Sequence, residues 1–70
     1  MSMEQFKDKA RQLVAISYDV AYEERATEYS DGFSMTFCLM DDSRIAISYN
    51  KYLGSWKATP LESREYVKVW

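Results

Sequence analysis

Apolar residues recur along this chain first with a helical period and then with a strand period. Ser2-Met3-Glu4-Gln5 has the form of a capping box: the serine oxygen accepts from a first-turn amide while the glutamine reaches back to the cap. Phe6, Ala10, Leu13, Val20 and Ala21 follow at spacings of three, four and seven, with Ser17 in the gap, so one side of a helix is apolar. Glu4, Lys7, Asp8 and Arg11 occupy the opposite side. Between Ile16 and Glu23 a second rhythm overlaps the first. Ile16, Tyr18, Val20 and Tyr22 alternate with Ser17, Asp19, Ala21 and Glu23, which is a strand pattern. The unbroken face from Phe6 and the helix formers between Ala21 and Ala26 predict a helix to about Arg25. The alternative is a helix ending near Ala15, followed by a strand.

Tyr29-Ser30-Asp31-Gly32 is a turn signal. Beyond it Phe33, Met35, Phe37 and Leu39 alternate with Ser34, Thr36, Cys38 and Met40, and then Ile45, Ile47 and Tyr49 alternate with Arg44, Ala46, Ser48 and Asn50. The two runs predict a hairpin. For their apolar sets to share a face, odd residues must oppose odd, which requires an odd loop. A loop of Asp41, Asp42 and Ser43 meets the condition, placing Met40 opposite Arg44 and Leu39 opposite Ile45. Asp tolerates the left-handed conformation that such a loop needs. The chain bends at Gly54, and Ser55 to Thr59 reads as a further short strand. Thr59-Pro60-Leu61-Glu62 resembles a brief helix start, with Glu65 to Trp70 as a final strand. The expected architecture is α+β: one N-terminal helix packed on a three- to four-stranded antiparallel meander, residues 1–70 forming one domain.

Composition narrows the function more than any motif does. Seventy residues bury only about 60% of the surface of their unfolded chain. The usual staples for such a thin core are missing, because Cys38 is the one cysteine and there is no histidine. An apolar fraction of 47% and an aromatic fraction of 16% must compensate, or a partner or second copy must cover part of the molecule. We therefore expect a homodimer or a complex. No run is long enough to span a bilayer, no secretory signal pattern opens the chain, and the unpaired thiol suits a reducing compartment, so the expected location is cytoplasmic. A net charge of −2 lacks the cationic excess that phosphate backbones attract, which argues against nucleic acid as the first partner.

The residues also speak against catalysis, and no cofactor or metal is expected. Histidine, the usual proton mover at neutral pH, is absent, and Cys38 sits mid-strand without an activating base. Asp41 and Asp42 lack further ligands at calcium-loop spacing and are better explained by turn chemistry. Gly32 and Gly54 are too far apart to cradle a phosphate. A hydrolase or lyase built on carboxylates has the least support.

Charge is unevenly placed. From Asp19 to Asp31 there are five acids, Asp19, Glu23, Glu24, Glu28 and Asp31, against Arg25 alone, a local net of −4. Such a run is ordinarily a solvated surface. Tyr18, Tyr22 and Tyr29 are interleaved with it, however, and acid with tyrosine is an interface composition. Asp19, Tyr22, Glu23, Glu24, Glu28, Tyr29 and Asp31 are the first candidate partner-binding set. The expected function is a non-catalytic protein-binding module, most concretely a small inhibitor that occludes a basic surface of a nucleic-acid-handling complex. In build alone, and in no residue motif, such a domain is similar to phage and mobile-element anti-defence proteins such as anti-CRISPR proteins. A second candidate surface is Tyr49, Tyr52, Trp56 and Trp70 on the sheet face away from the helix. With Arg44, Lys51, Lys57 and Lys68 nearby, it frames the alternative of a single-stranded nucleic-acid binder.

Overall fold

The structure, a computed structural model, describes residues 1–61. The order is α1 (Met3–Ser17), β1 (Val20–Tyr29), β2 (Gly32–Leu39), β3 (Arg44–Asn50) and β4 (Ser55–Leu61). The strands form one antiparallel meander in the order β1-β2-β3-β4, and α1 lies across β1, β2 and β3 on one face. This is the expected α+β arrangement, with four strands.

The capping box starts α1 as anticipated: Ser2 Oγ accepts from the Gln5 amide at 3.2 Å, and Gln5 Oε1 accepts from the Ser2 amide at 2.8 Å. The helix ends far short of Arg25. Tyr18 is already extended, and its N–H closes the last turn on the Val14 carbonyl at 2.9 Å. Residues 20–29 instead pair with β2 along its whole length, and the Met40 amide donates to the Asp19 carbonyl at 2.8 Å. Pairing satisfies the backbone of β2 on its far side, an advantage that outweighs the modest helix propensity of Ala21–Ala26. The shorter helix also changes its buried stripe. Phe6, Ala10 and Val14, at i, i+4 and i+8, are buried, whereas Leu13 is only half-buried and Ser17 is exposed.

These three helix residues meet Phe33, Met35, Phe37 and Leu39 of β2 and Ile45 and Ile47 of β3 in one core. Each such burial stabilises by about 1.5–3 kcal/mol relative to exposure. The Phe6 ring sits between Phe33, at 5.2 Å, and Trp56, at 5.5 Å, both stacked, and Tyr49 tilts against Trp56 at 4.8 Å. Stacking ties the start of α1 to the far strands.

The β2–β3 hairpin keeps the odd-with-odd parity but slips by two residues from the expected register. Phe37, not Leu39, opposes Ile45, and Cys38, not Met40, opposes Arg44. The loop is Met40-Asp41-Asp42, closed by the Leu39 amide on the Ser43 carbonyl at 2.8 Å. Asp42 takes the left-handed conformation (φ 71°) that ends three-residue loops of this kind. Asp41 Oδ1 accepts from the Ser43 amide at 3.0 Å and so spends its carboxylate on the turn. At the opposite end of the sheet, Gly32 runs so close to β3 that an added Cβ would lie 1.8 Å from the Tyr49 carbonyl oxygen.

The last correction concerns residues 59–61. Thr59, Pro60 and Leu61 do not open a helix but complete β4, opposite Ala46, Ile45 and Arg44. Proline is tolerated there because β4 is an edge strand whose outward positions need no donor. The expected final strand from Glu65 to Trp70 lies outside the described residues.

Candidate protein-binding edge and open sheet face

Strand β1 forms one edge of the sheet and carries most of the acidic candidates. Two register shifts, between Val20 and Tyr22 and between Glu23 and Ala26, mark bulges in it. Bulges on an edge discourage indiscriminate strand pairing and re-aim side chains. Here they decide where each acid points. Glu23 opposes Phe37 and turns to the helix side, where Arg11 grips it with two nitrogens, Nη2 lying 3.0 Å from Oε1. Glu24, its neighbour, reaches Arg44 on the opposite face at 2.7 Å. The Arg11 guanidinium holds the Glu23 carboxyl below its ordinary value, through their hydrogen bond and then against the opposing effect of burial.

The seven acidic-edge candidates therefore do not share one face. Glu23 and Glu28 lie on the helix side, Tyr22, Glu24 and Tyr29 on the open side, and Asp19 and Asp31 in the connections before and after β1. What they share is the edge itself. Two of the five acids are already neutralised by arginines that are distant in sequence, a pairing that no local pattern foretells. Among the described residues, the Asp19, Glu28 and Asp31 carboxylates have no ionic partner. Tyr22 and Tyr29 stand beside them, 58% and 53% exposed.

The face away from α1 has small residues at its centre: Ser34 and Thr36 of β2 oppose Ser48 and Ala46 of β3. Tyr22, Cys38 and Arg44 form a row across one end. Cys38 is buried and directs its thiol toward the Leu39 carbonyl. The Tyr22 phenol beside it is pushed above its ordinary value, first by its interaction with Cys38 and then by the nearby Glu24 carboxylate. At the other end Tyr29, Asp31, Ser34, Ser48, Leu53 and Lys57 surround a shallow concavity of about 480 Å³.

The second candidate surface does not assemble as expected. Tyr49 and Trp56 turn to the helix side and pack against the core, while Tyr52 stands exposed in the β3–β4 turn. Trp70 and Lys68 lie outside the described residues. Arg44, expected to follow a nucleic-acid backbone, is engaged by Glu24. Leu53, exposed beside Tyr52, was absent from the candidates. An apolar residue just before Gly54, in a segment expected to bend, was the available signal.

The described residues thus define a small α+β meander with one covered and one open face. Among them, no helix is long and apolar enough to cross a membrane, and no group of three His, Cys, Asp or Glu side chains is placed to hold a metal ion. Comparison with protein-family models, with curated proteins and with solved structures finds no match to this chain.

Proposed function

We propose that this protein is a non-catalytic, intracellular protein-binding module that acts as a small inhibitor, of the anti-defence type found in phages and mobile elements, by covering a basic surface of a nucleic-acid-handling partner. The observation that supports this reading is the composition of the β1 edge. Asp19, Glu28 and Asp31 keep their charge without ionic partners among the described residues, and exposed Tyr22 and Tyr29 lie between them. Unpaired acids on a mostly exposed strand speed encounter with a cationic surface and fix its orientation. Tyrosine then supplies contact area at low rotamer cost. Glu23 and Glu24 have a different part: held by Arg11 and Arg44, they brace the strand on both of its faces.

Site-specific photo-crosslinking in the native cell tests this reading. A benzophenone side chain replacing Tyr22 or Tyr29 is expected to crosslink one protein partner rich in Lys and Arg, and the same group replacing Thr59 on β4 is expected not to. Equal crosslinking from both edges, or an acidic or nucleic-acid adduct from β1, would remove the β1 edge from the account.

A further inference from the structure

The β3–β4 turn is held more firmly than its exposure requires. Asn50 Oδ1 accepts from the amides of Tyr52 and Leu53 at 2.9 and 3.0 Å, and the Gly54 amide donates to the Asn50 carbonyl at 2.7 Å. Gly54 has a left-handed conformation (φ 66°) suited to its lack of a Cβ. The turn is also tied sideways to the β1–β2 turn: the Lys51 amide donates to the Asp31 carbonyl at 2.9 Å, and the Tyr52 hydroxyl donates to the Ser30 carbonyl at 3.3 Å. Yet this fixed frame presents two large side chains to water, Tyr52 at 75% and Leu53 at 77% exposure. Apolar groups held out on a fixed backbone lose little conformational freedom when they are covered, which favours association.

The same end of the molecule contains the counterpart of this projection. Leu53 stands on the rim of the 480 Å³ concavity, whose other walls include Tyr29, Ser34 and Ser48. Opposite charges flank it, Asp31 on the β1 side and Lys57 on the β4 side, and neither has an ionic partner among the described residues. A patch that carries a projection and a hollow, and both signs of charge, meets the requirement for a two-fold interface, in which one patch must complement itself.

We infer that the protein forms a two-fold dimer through this end of the open sheet face. The Leu53 turn of each copy enters the concavity of the other, and Asp31 of one copy faces Lys57 of its mate. The inference goes beyond the proposed function and shares Asp31 and Tyr29 with it. The dimer depends further on Leu53 and Lys57, and the β1-edge reading on Asp19, Glu28 and Tyr22, so the Leu53→Asp mass and the Tyr22 crosslink separate the failure of one from that of the other.

Sedimentation equilibrium of the purified full chain at roughly 100 μM, where a dimer with micromolar Kd is mostly assembled, is the test. The expected mass is twice the 8.3 kDa of the chain. Leu53→Asp is expected to give the single-chain mass with unchanged circular dichroism, since the residue is exposed in a turn. Asp31→Lys and Lys57→Asp are each expected to shift the population toward monomer, and combining them is expected to restore the dimer. A monomeric native chain, a dimer indifferent to Leu53→Asp, or a charge-swapped double variant no better than its single parents would overturn the inference.

Discussion

Neighbouring residues on strand β2 belong to opposite physical worlds. Phe37, 1% exposed, packs beneath α1 with Met35 and Ile45, whereas Thr36 lies half-buried among small polar residues on the uncovered face. The covered face holds apolar residues chosen for volume, and a chain of 70 residues has few of them to spare. The open face holds Ser34, Thr36, Ala46 and Ser48, which contribute little burial but leave the surface low and accessible. The contrast teaches that the large apolar side chains that stabilise the fold are gathered on one face of the sheet, which leaves the other face free for the proposed binding role. The proposed contacts lie at the margins of the open face, on the β1 edge and the Tyr52–Leu53 turn, where large side chains are exposed.

The sharpest way to break this division is to substitute the two neighbours. Phe37→Ala is expected to cost about 3–5 kcal/mol, a large part of the total stability of a small domain, and so to leave the chain largely unfolded in a thermal melt. Thr36→Ala is expected to cost less than about 1 kcal/mol. Comparable losses at the two positions would mean that the open face is a second core. Gly32→Ala comes next in size. Its Cβ collides with the Tyr49 carbonyl, so β2 and β3 must part at that end, at an expected cost of about 1–3 kcal/mol in urea denaturation.

The smallest effect concerns the brace between the helix and the β1 edge. Because Arg11 depresses the Glu23 pKa, the folded state binds the Glu23 proton less tightly than the unfolded chain does. The pair therefore stabilises the fold above the ordinary glutamate value of about 4.5, and its contribution is lost as pH falls through the lower folded value. Both side chains are more than a third exposed, which keeps the effect small. The urea midpoint of Glu23→Gln is expected to lie slightly below that of the native chain near pH 7, the difference vanishing as the pH falls below the depressed folded-state value of Glu23. A difference that grows on acidification would show that the pair does not act in this way.

Much of this fold was legible because its central hairpin alternates cleanly, and parity alone fixed which residues of β2 and β3 look inward. The two-residue slip was not legible, since a loop centred on Asp41 and one centred on Asp42 preserve the same parity. The end of α1 failed for a different reason. Residues 16–23 satisfy both periods, and the arbiter is the unpaired far side of β2, a partner distant in sequence. Trp56 was misplaced because its neighbours, read alone, do not reveal a ring that stacks on Phe6 some fifty residues earlier. Acid density along β1 was visible directly, but the bulges that set which face Glu23 and Glu24 each take, and the arginines that hold them, arise only from the folded register.

The proposed binding role of the unpaired acids of the β1 edge is tested most directly by the rate at which the crosslinked partner associates. The variant Asp19→Lys with Glu28→Lys leaves Asp31, and hence the inferred dimer contact, untouched. In stopped-flow mixing at low ionic strength it is expected to associate about tenfold more slowly than the native chain, and with a flatter dependence on salt. An unchanged rate with an unchanged salt dependence would contradict the assignment of the β1 edge as the surface that meets the partner.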